Sequence, residues 1–166
     1  MINEKRNMKN LFKILAILML TIGFVSCNDD ETYVESALEV NFVNLNGTWM
    51  LAEWNGKPLE EGTYCYITFN RREQTFEMYQ KFDSMYARYI TGSLTIKKDD
   101  YLGYVVSGRY DYQNGKWNND YVVSDLLPSG SMIWTVKGNA DDVSKYVRVD
   151  EVPSSVKDEA RHPEAE

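Results

Sequence analysis

Thr63-Tyr64-Cys65-Tyr66-Ile67-Thr68-Phe69-Asn70, then Arg71-Arg72-Glu73, then Gln74-Thr75-Phe76-Glu77-Met78-Tyr79-Gln80-Lys81-Phe82 is the stretch that decides the fold. Its first segment alternates, with Cys65, Ile67 and Phe69 on one side and Tyr64, Tyr66 and Thr68 on the other. The second sets Phe76, Met78 and Phe82 against Thr75, Glu77 and Lys81. Successive side chains on a strand point to opposite faces, so a two-residue period predicts strands with one buried face. Asn70–Glu73 between them reads as a hairpin loop.

The pattern spreads in both directions. Upstream, Thr48–Trp54 reads as a strand. Downstream, Ala87–Lys97 carries Ile90, Leu94 and Ile96 on one face, with Gly92 marking a bend. Lys97–Asp100 reads as a polar turn and Tyr101–Tyr112 as the next strand. Asn114-Gly115 is a hairpin signal leading to a strand over Trp117–Leu127. Ser131–Lys137 follows the Pro128-Ser129-Gly130 turn, and Val143–Val149 follows a turn at Gly138–Asp142. About eight short strands at regular spacing predict an all-β domain, a small antiparallel up-and-down barrel. No helical period of comparable length separates them, which argues against a parallel α/β sheet. Ser154–Arg161 predicts a short C-terminal helix capped by Ser154, with fraying from His162.

The N-terminus has a different character. Lys5, Arg6, Lys9 and Lys13 precede the apolar run Ile14–Val25. A basic segment followed by about a dozen apolar residues is the pattern of a secretory signal, whereas a spanning helix needs roughly 20. The run closes in Phe24-Val25-Ser26-Cys27, which resembles the lipobox of bacterial lipoproteins, with Phe24 where an aliphatic residue is usual. The resemblance implies cleavage before Cys27 and acyl chains on it, which anchor the protein to a membrane. Several chains hold firmly where one holds only marginally. Asn28-Asp29-Asp30-Glu31 resembles the surface-export signal of Bacteroidetes lipoproteins. That likeness implies an outer-membrane lipoprotein at the cell surface, or otherwise facing the periplasm. The expected organisation is signal peptide 1–26, acidic lipidated tether 27–44, barrel 45–153 and tail or short helix 154–166.

Two further stretches resemble a known family. Leu45-Asn46-Gly47-Thr48-Trp49 contains the Gly-x-Trp of lipocalins at the opening strand, and Tyr146-Val147-Arg148 ends the last one. In lipocalins an Arg of the closing strand packs over that Trp, so Trp49 and Arg148 are expected to close the barrel. A guanidinium over an indole gains cation–π attraction. Residues 45–153 as a whole resemble small lipocalin-like lipoproteins of Bacteroidetes. The fold is implied more firmly than any activity.

Charge and composition exclude several classes. Residues 1–26 carry four cations against Glu4, a surplus of three positive charges, so the remainder stands at −10 against −7 for the whole chain. An acidic protein repels phosphate backbones, so no nucleic-acid partner is expected. Cys27 and Cys65 are the two cysteines. With Cys27 lipidated, Cys65 has no disulfide partner and reads as a small buried apolar group. His162 is the single histidine and lies in the tail, so neither a Ser-His-Asp arrangement nor a His-based zinc site is expected. No phosphate-binding or dinucleotide motif is present, and Asp99-Asp100 and Asp141-Asp142 read as turn residues. The expectation is no enzyme, no metal and no cofactor. Asp83-Ser84-Met85 resembles the O-glycosylation motif of Bacteroides secreted proteins, which implies a glycan on Ser84.

Alternation also suggests what lines the interior. If Ile90 and Leu94 point inward, so do Tyr86 and Arg88, and if Phe76 and Phe82 do, so does Gln80. Tyr110, Tyr121 and Trp134 join them, giving a candidate ligand site of Gln80, Tyr86, Arg88, Tyr110, Tyr121 and Trp134. Arg88 either meets a ligand's anionic group or sits at the mouth bonded to solvent. A barrel of this size is either filled by side chains or holds one small ligand. Two functions follow: binding of a small hydrophobic or amphipathic molecule, or a filled module that contacts a protein or glycan partner.

Overall fold

The computed structural model describes residues 34–82, 85–112 and 115–162. Cys27, the signal segment, the acidic cluster and Ser84 therefore lie outside the described residues. The chain divides into two units at Val34, and the strands lie in the second. They are β1 (Gly47–Trp54), β2 (Lys57–Pro58), β3 (Tyr64–Asn70), β4 (Thr75–Lys81), β5 (Arg88–Asp99), β6 (Gly103–Tyr110), β7 (Tyr121–Leu127), β8 (Ser131–Val136) and β9 (Val143–Val149). Two short helices flank them, α1 (Phe42–Leu45) and α2 (Ser154–Glu159).

From β3 onward each strand pairs antiparallel with the next, and β1 pairs with both β3 and β9. The result is a closed eight-stranded antiparallel barrel with one extra strand. The extra strand, β2, folds back on the end of β1 through Glu53↔Pro58 and Trp54↔Lys57. Closure removes the exposed strand edges that would otherwise invite pairing with other chains. The inward face of the β3–β4 hairpin is the one alternation predicts: Cys65, Ile67, Phe69 and Phe76 are all buried.

Three boundaries differ from the sequence expectation, each for a local reason. Lys97 and Lys98 are strand residues paired with Val105 and Tyr104. The turn starts three residues later, over residues 100–102, where the Asp99 carboxylate accepts from the backbone N–H of Tyr101 at 3.0 Å and of Leu102 at 3.1 Å. Residues 116–120 are not part of β7, which starts at Tyr121 because only Tyr104–Val106 of β6 pair with it. Helix α2 carries Pro153 at its N-cap with no side-chain cap, so Ser154 is the first helical residue and not the cap.

One end of the barrel is sealed. Trp49 is fully buried and sits opposite Arg148 in the β1–β9 ladder. The Arg148 guanidinium lies 4.2 Å from the Trp49 ring centroid. It donates to the carbonyls of Asn46 at 2.6 Å and Asn44 at 2.8 Å, and Trp49 Nε1 donates to the Leu45 carbonyl at 2.8 Å. Partial burial holds this guanidinium below its ordinary pKa. Gly47 has φ +112°, and a Cβ there would come within 2.7 Å of Arg148 Nη1, which explains the glycine two residues before the tryptophan. The Asn41 side chain caps α1 by accepting from the N–H groups of Val43 and Asn44.

The end of the expected tether is part of this seal. Leu38 N–H donates to the Leu126 carbonyl at 2.7 Å, and Val40 and Leu45 are buried. Their apolar side chains cover the closed end, which a purely solvated linker would leave wet. The C-terminal segment packs as well. Arg161 exchanges backbone hydrogen bonds with Ala87 and Tyr89, and the His162 ring lies 6.3 Å from those of Tyr89 and Tyr112. His162, expected to fray, is therefore held against the barrel wall.

Candidate functional site

The other end of the barrel is open. Leu51 and Trp54 of β1, Cys65 of β3, Gln80 of β4, Tyr110 of β6, Tyr121 of β7, Trp134 of β8 and Tyr146 of β9 lie toward it. Together they surround a cavity of about 260 Å³. Ligand pockets commonly run from about 300 to 1,000 Å³, so this one suits a small molecule. The half nearer Trp49 is filled instead, by Ile67, Phe69, Phe76, Val106 and Met132.

The walls are aromatic. Trp134 packs with Tyr121 at 5.2 Å, Tyr146 at 5.3 Å and Trp117 at 6.0 Å between ring centroids. Trp54 and Phe82 meet at 6.0 Å, and Trp54 Nε1 donates to Asp142 Oδ1 at 2.9 Å. Among the described residues Asp142 is the one formally charged residue in the lining, and no Lys, Arg or His of theirs lines it.

Trp117 reaches the cavity by an irregular route. After Tyr110 the chain leaves the sheet, folds back through Tyr110 N–H to the Gly115 carbonyl at 2.7 Å, and returns with Trp117 N–H on the Gly108 carbonyl at 2.9 Å. This places the indole in the gap where β6 and β7 stop pairing, 5.1 Å from Phe76 and 5.9 Å from Tyr121. Gly108 makes room for it, because a Cβ there would lie 2.1 Å from the ring. Trp117 Nε1 is buried and has no acceptor among the described residues.

Of the predicted ligand residues, Gln80, Tyr110, Tyr121 and Trp134 line the cavity. Tyr86 and Arg88 do not. Arg88 is the first residue of β5, exposed and opposite Gln80 in the ladder, so its charged head reaches water at the rim instead of entering the interior. This is the cheaper arrangement, because an inward guanidinium would need a buried counter-charge. Tyr86 precedes the strand, is 38% exposed, and has the Arg161 guanidinium 3.9 Å over its ring. Sequence reading missed Trp54, Trp117, Asn118, Asn119, Asp142 and Ser144, all of which line the cavity. For Trp117 the neighbouring residues carry no signal, because the space its ring fills is left by Gly108 on another element.

The interior acids stay protonated. Burial pushes the Cys65 thiol up to about 12 and the Tyr110 hydroxyl up to about 12. It raises Tyr146, the hydrogen-bond partner of Cys65, well above the ordinary tyrosine value. These groups hold their protons in the folded state after the unfolded chain has lost them. Their contribution is therefore whole below the ordinary thiol value near pH 8.5 and declines as pH rises toward about 12. The urea midpoint is expected to fall steadily from pH 8.5 to 11, and native Cys65 is expected to resist iodoacetamide at pH 8 until the protein is unfolded. A flat midpoint across that range would contradict the first expectation, and ready labelling of native Cys65 the second.

Among the described residues no cluster of three potential metal ligands occurs, and no helix is long and apolar enough to cross a membrane. No curated protein and no solved structure matches the chain. A family profile described as a lipocalin-like domain matches residues 45–134. That span runs from the end of α1 through Trp134, covering Gly47, Trp49 and most of the cavity wall. The match takes in more than half of the chain and agrees with the closed barrel, so the protein belongs to the lipocalin-like domain family.

Proposed function

We propose that this is a non-enzymatic binding protein, a lipoprotein anchored to the outer membrane by acyl chains on Cys27, whose barrel holds one small hydrophobic or amphipathic molecule. The observation that carries the binding reading is the cavity of about 260 Å³ at the open end, walled by aromatic rings with a few polar groups among them. The rival reading, a filled barrel that works only through its outer surface, accounts for the half around Trp49 and Phe76 but leaves the aromatic cavity unused. The anchoring reading rests on the basic N-terminus, the apolar run and Cys27, and the surface location on the acidic cluster that follows.

N-phenyl-1-naphthylamine, a neutral dye that brightens in apolar sites, tests binding. The native protein is expected to bind it at about one molecule per barrel. Ser144 lines the cavity and is partly buried, so Ser144→Trp fills the space and is expected to weaken binding at least tenfold with unchanged circular dichroism. Equal binding by native protein and variant would place the dye elsewhere and defeat the cavity reading. In the native host, Cys27→Ser is expected to abolish acylation and release the protein from the membrane fraction.

A further inference from the structure

We infer that the cavity is built for an organic cation, an amine or quaternary ammonium carried on a small apolar frame. The inference rests on the binding reading above and sharpens it.

Three observations converge. First, the sign of the site is one-sided. Among the described residues Asp142 is the only formally charged one in the lining, and none of them places a cationic side chain in the wall. A carboxylate at the open end of the cavity attracts a cation and repels an anion. Asp142 forms no salt bridge among the described residues, so its charge is not already neutralised by a protein cation.

Second, Asp142 is positioned. Trp54 Nε1 holds Oδ1 at 2.9 Å, and the Asp142 carbonyl accepts from Val136 N–H at 3.0 Å. Burial is the main cause that raises the Tyr121 hydroxyl, and the Asp142 charge adds to it. The hydrogen bond from Nε1 fixes the carboxylate beside the Trp54 ring at the open end of the cavity.

Third, the wall chemistry suits a positive group. Trp54, Phe82, Trp117, Tyr121, Trp134 and Tyr146 present rings to one cavity. Aromatic faces attract cations through the ring quadrupole, and boxes of such rings are the recurrent means of recognising quaternary ammonium groups. The tyrosine hydroxyls stay neutral, so they add dipoles without competing charge. The acidity of the chain, −7 in full, adds long-range steering in the same direction.

Three probes of nearly one shape separate the contributions: benzyltrimethylammonium, its uncharged isostere neopentylbenzene, and the anion phenylacetate. Binding to the full-length protein is read by tryptophan fluorescence, since four indoles are present and three line the cavity. Benzyltrimethylammonium is expected to bind at least tenfold more tightly than neopentylbenzene, and phenylacetate more weakly than both. Asp142→Asn is expected to weaken the cation three- to tenfold and leave neopentylbenzene within twofold. Neopentylbenzene binding as well as the cation, or equal loss of both in Asp142→Asn, overturns the charge inference while leaving the cavity reading intact. Failure of all three probes together with N-phenyl-1-naphthylamine would sink the binding reading itself.

Discussion

Trp49→Ala is expected to cost the fold about 3–5 kcal/mol, the range for removing a large aromatic side chain from a packed interior. Trp49 is fully buried in the filled half of the barrel, so the change leaves a void where surrounding strands are already paired on both sides. Two further losses add to the void. The Leu45 carbonyl loses its donor, and the Arg148 guanidinium loses the ring beneath it. Because Arg148 also ties down the carbonyls of Asn44 and Asn46, loosening it frees the segment around α1 that covers this end. The measurement is urea unfolding followed by far-UV circular dichroism, which does not depend on the lost indole. A drop in Tm on the order of 10–20 °C should accompany it. Trp49→Phe keeps most of the volume and removes the N–H, so it is expected to recover more than half of the loss. Arg148→Lys keeps the charge but not the planar fork that reaches two carbonyls at once, and should behave as a partial loss. An alanine variant that unfolds within about 1 kcal/mol of the native protein would mean that the seal is not what holds β1 to β9.

What the sequence made legible follows from how local each cause is. Alternation is a property of neighbouring residues, so the β3–β4 hairpin, its inward face of Cys65, Ile67, Phe69 and Phe76, and the succession of antiparallel strands could all be read directly. Gln80, Tyr110, Tyr121 and Trp134 could be placed on the inner face by the same parity. Parity fails where a strand ends. Arg88 has the parity of Ile90 but stands at the rim, where the cost of burying a charge outweighs the pattern. It fails again where the ladder opens. Trp117 was expected to extend β7, yet β6 and β7 share only three residue pairs, and Trp117 bonds through its N–H to the Gly108 carbonyl instead. Nothing within a few residues of Trp117 states that Gly108, on another strand, has left a space for an indole. Asp142 is a turn residue by every local measure. Its place in the lining depends on β1 bringing Trp54 across to it, a contact between residues far apart in the chain.

Gly92→Ala is expected to destabilise the domain by about 3 kcal/mol, at the upper end of the cost of overfilling a packed interior. One methyl group is enough because of where it would go. A Cβ at Gly92 would lie 2.0 Å from the Arg109 carbonyl oxygen and 2.7 Å from Cε1 and Cζ of Phe76. The carbonyl belongs to β6, which is paired with β5 along its whole length from Gly103 to Tyr110. It cannot retreat without opening that ladder. Phe76 cannot retreat either, since it is buried against Trp117 and Tyr110. Glycine was read as a bend in the strand; the sterics add that it is the place where a neighbouring backbone and an aromatic ring both occupy the space of a side chain. Gly103→Ala is the control. Nothing lies within 4 Å of its Cβ position, and its φ of +84° costs an alanine about 1–2 kcal/mol on conformational grounds alone. Unfolding midpoints in urea should therefore rank native, Gly103→Ala, Gly92→Ala. The Gly92 variant should also bind N-phenyl-1-naphthylamine less tightly, because displacing Phe76 moves Trp117 in the cavity wall, whereas Gly103 is the first residue of β6, outside the cavity lining, and should leave the dye site unchanged. If Gly92→Ala proves no less stable than Gly103→Ala, β5 and β6 can separate at this point at little cost, and the close approach is not a constraint on the fold.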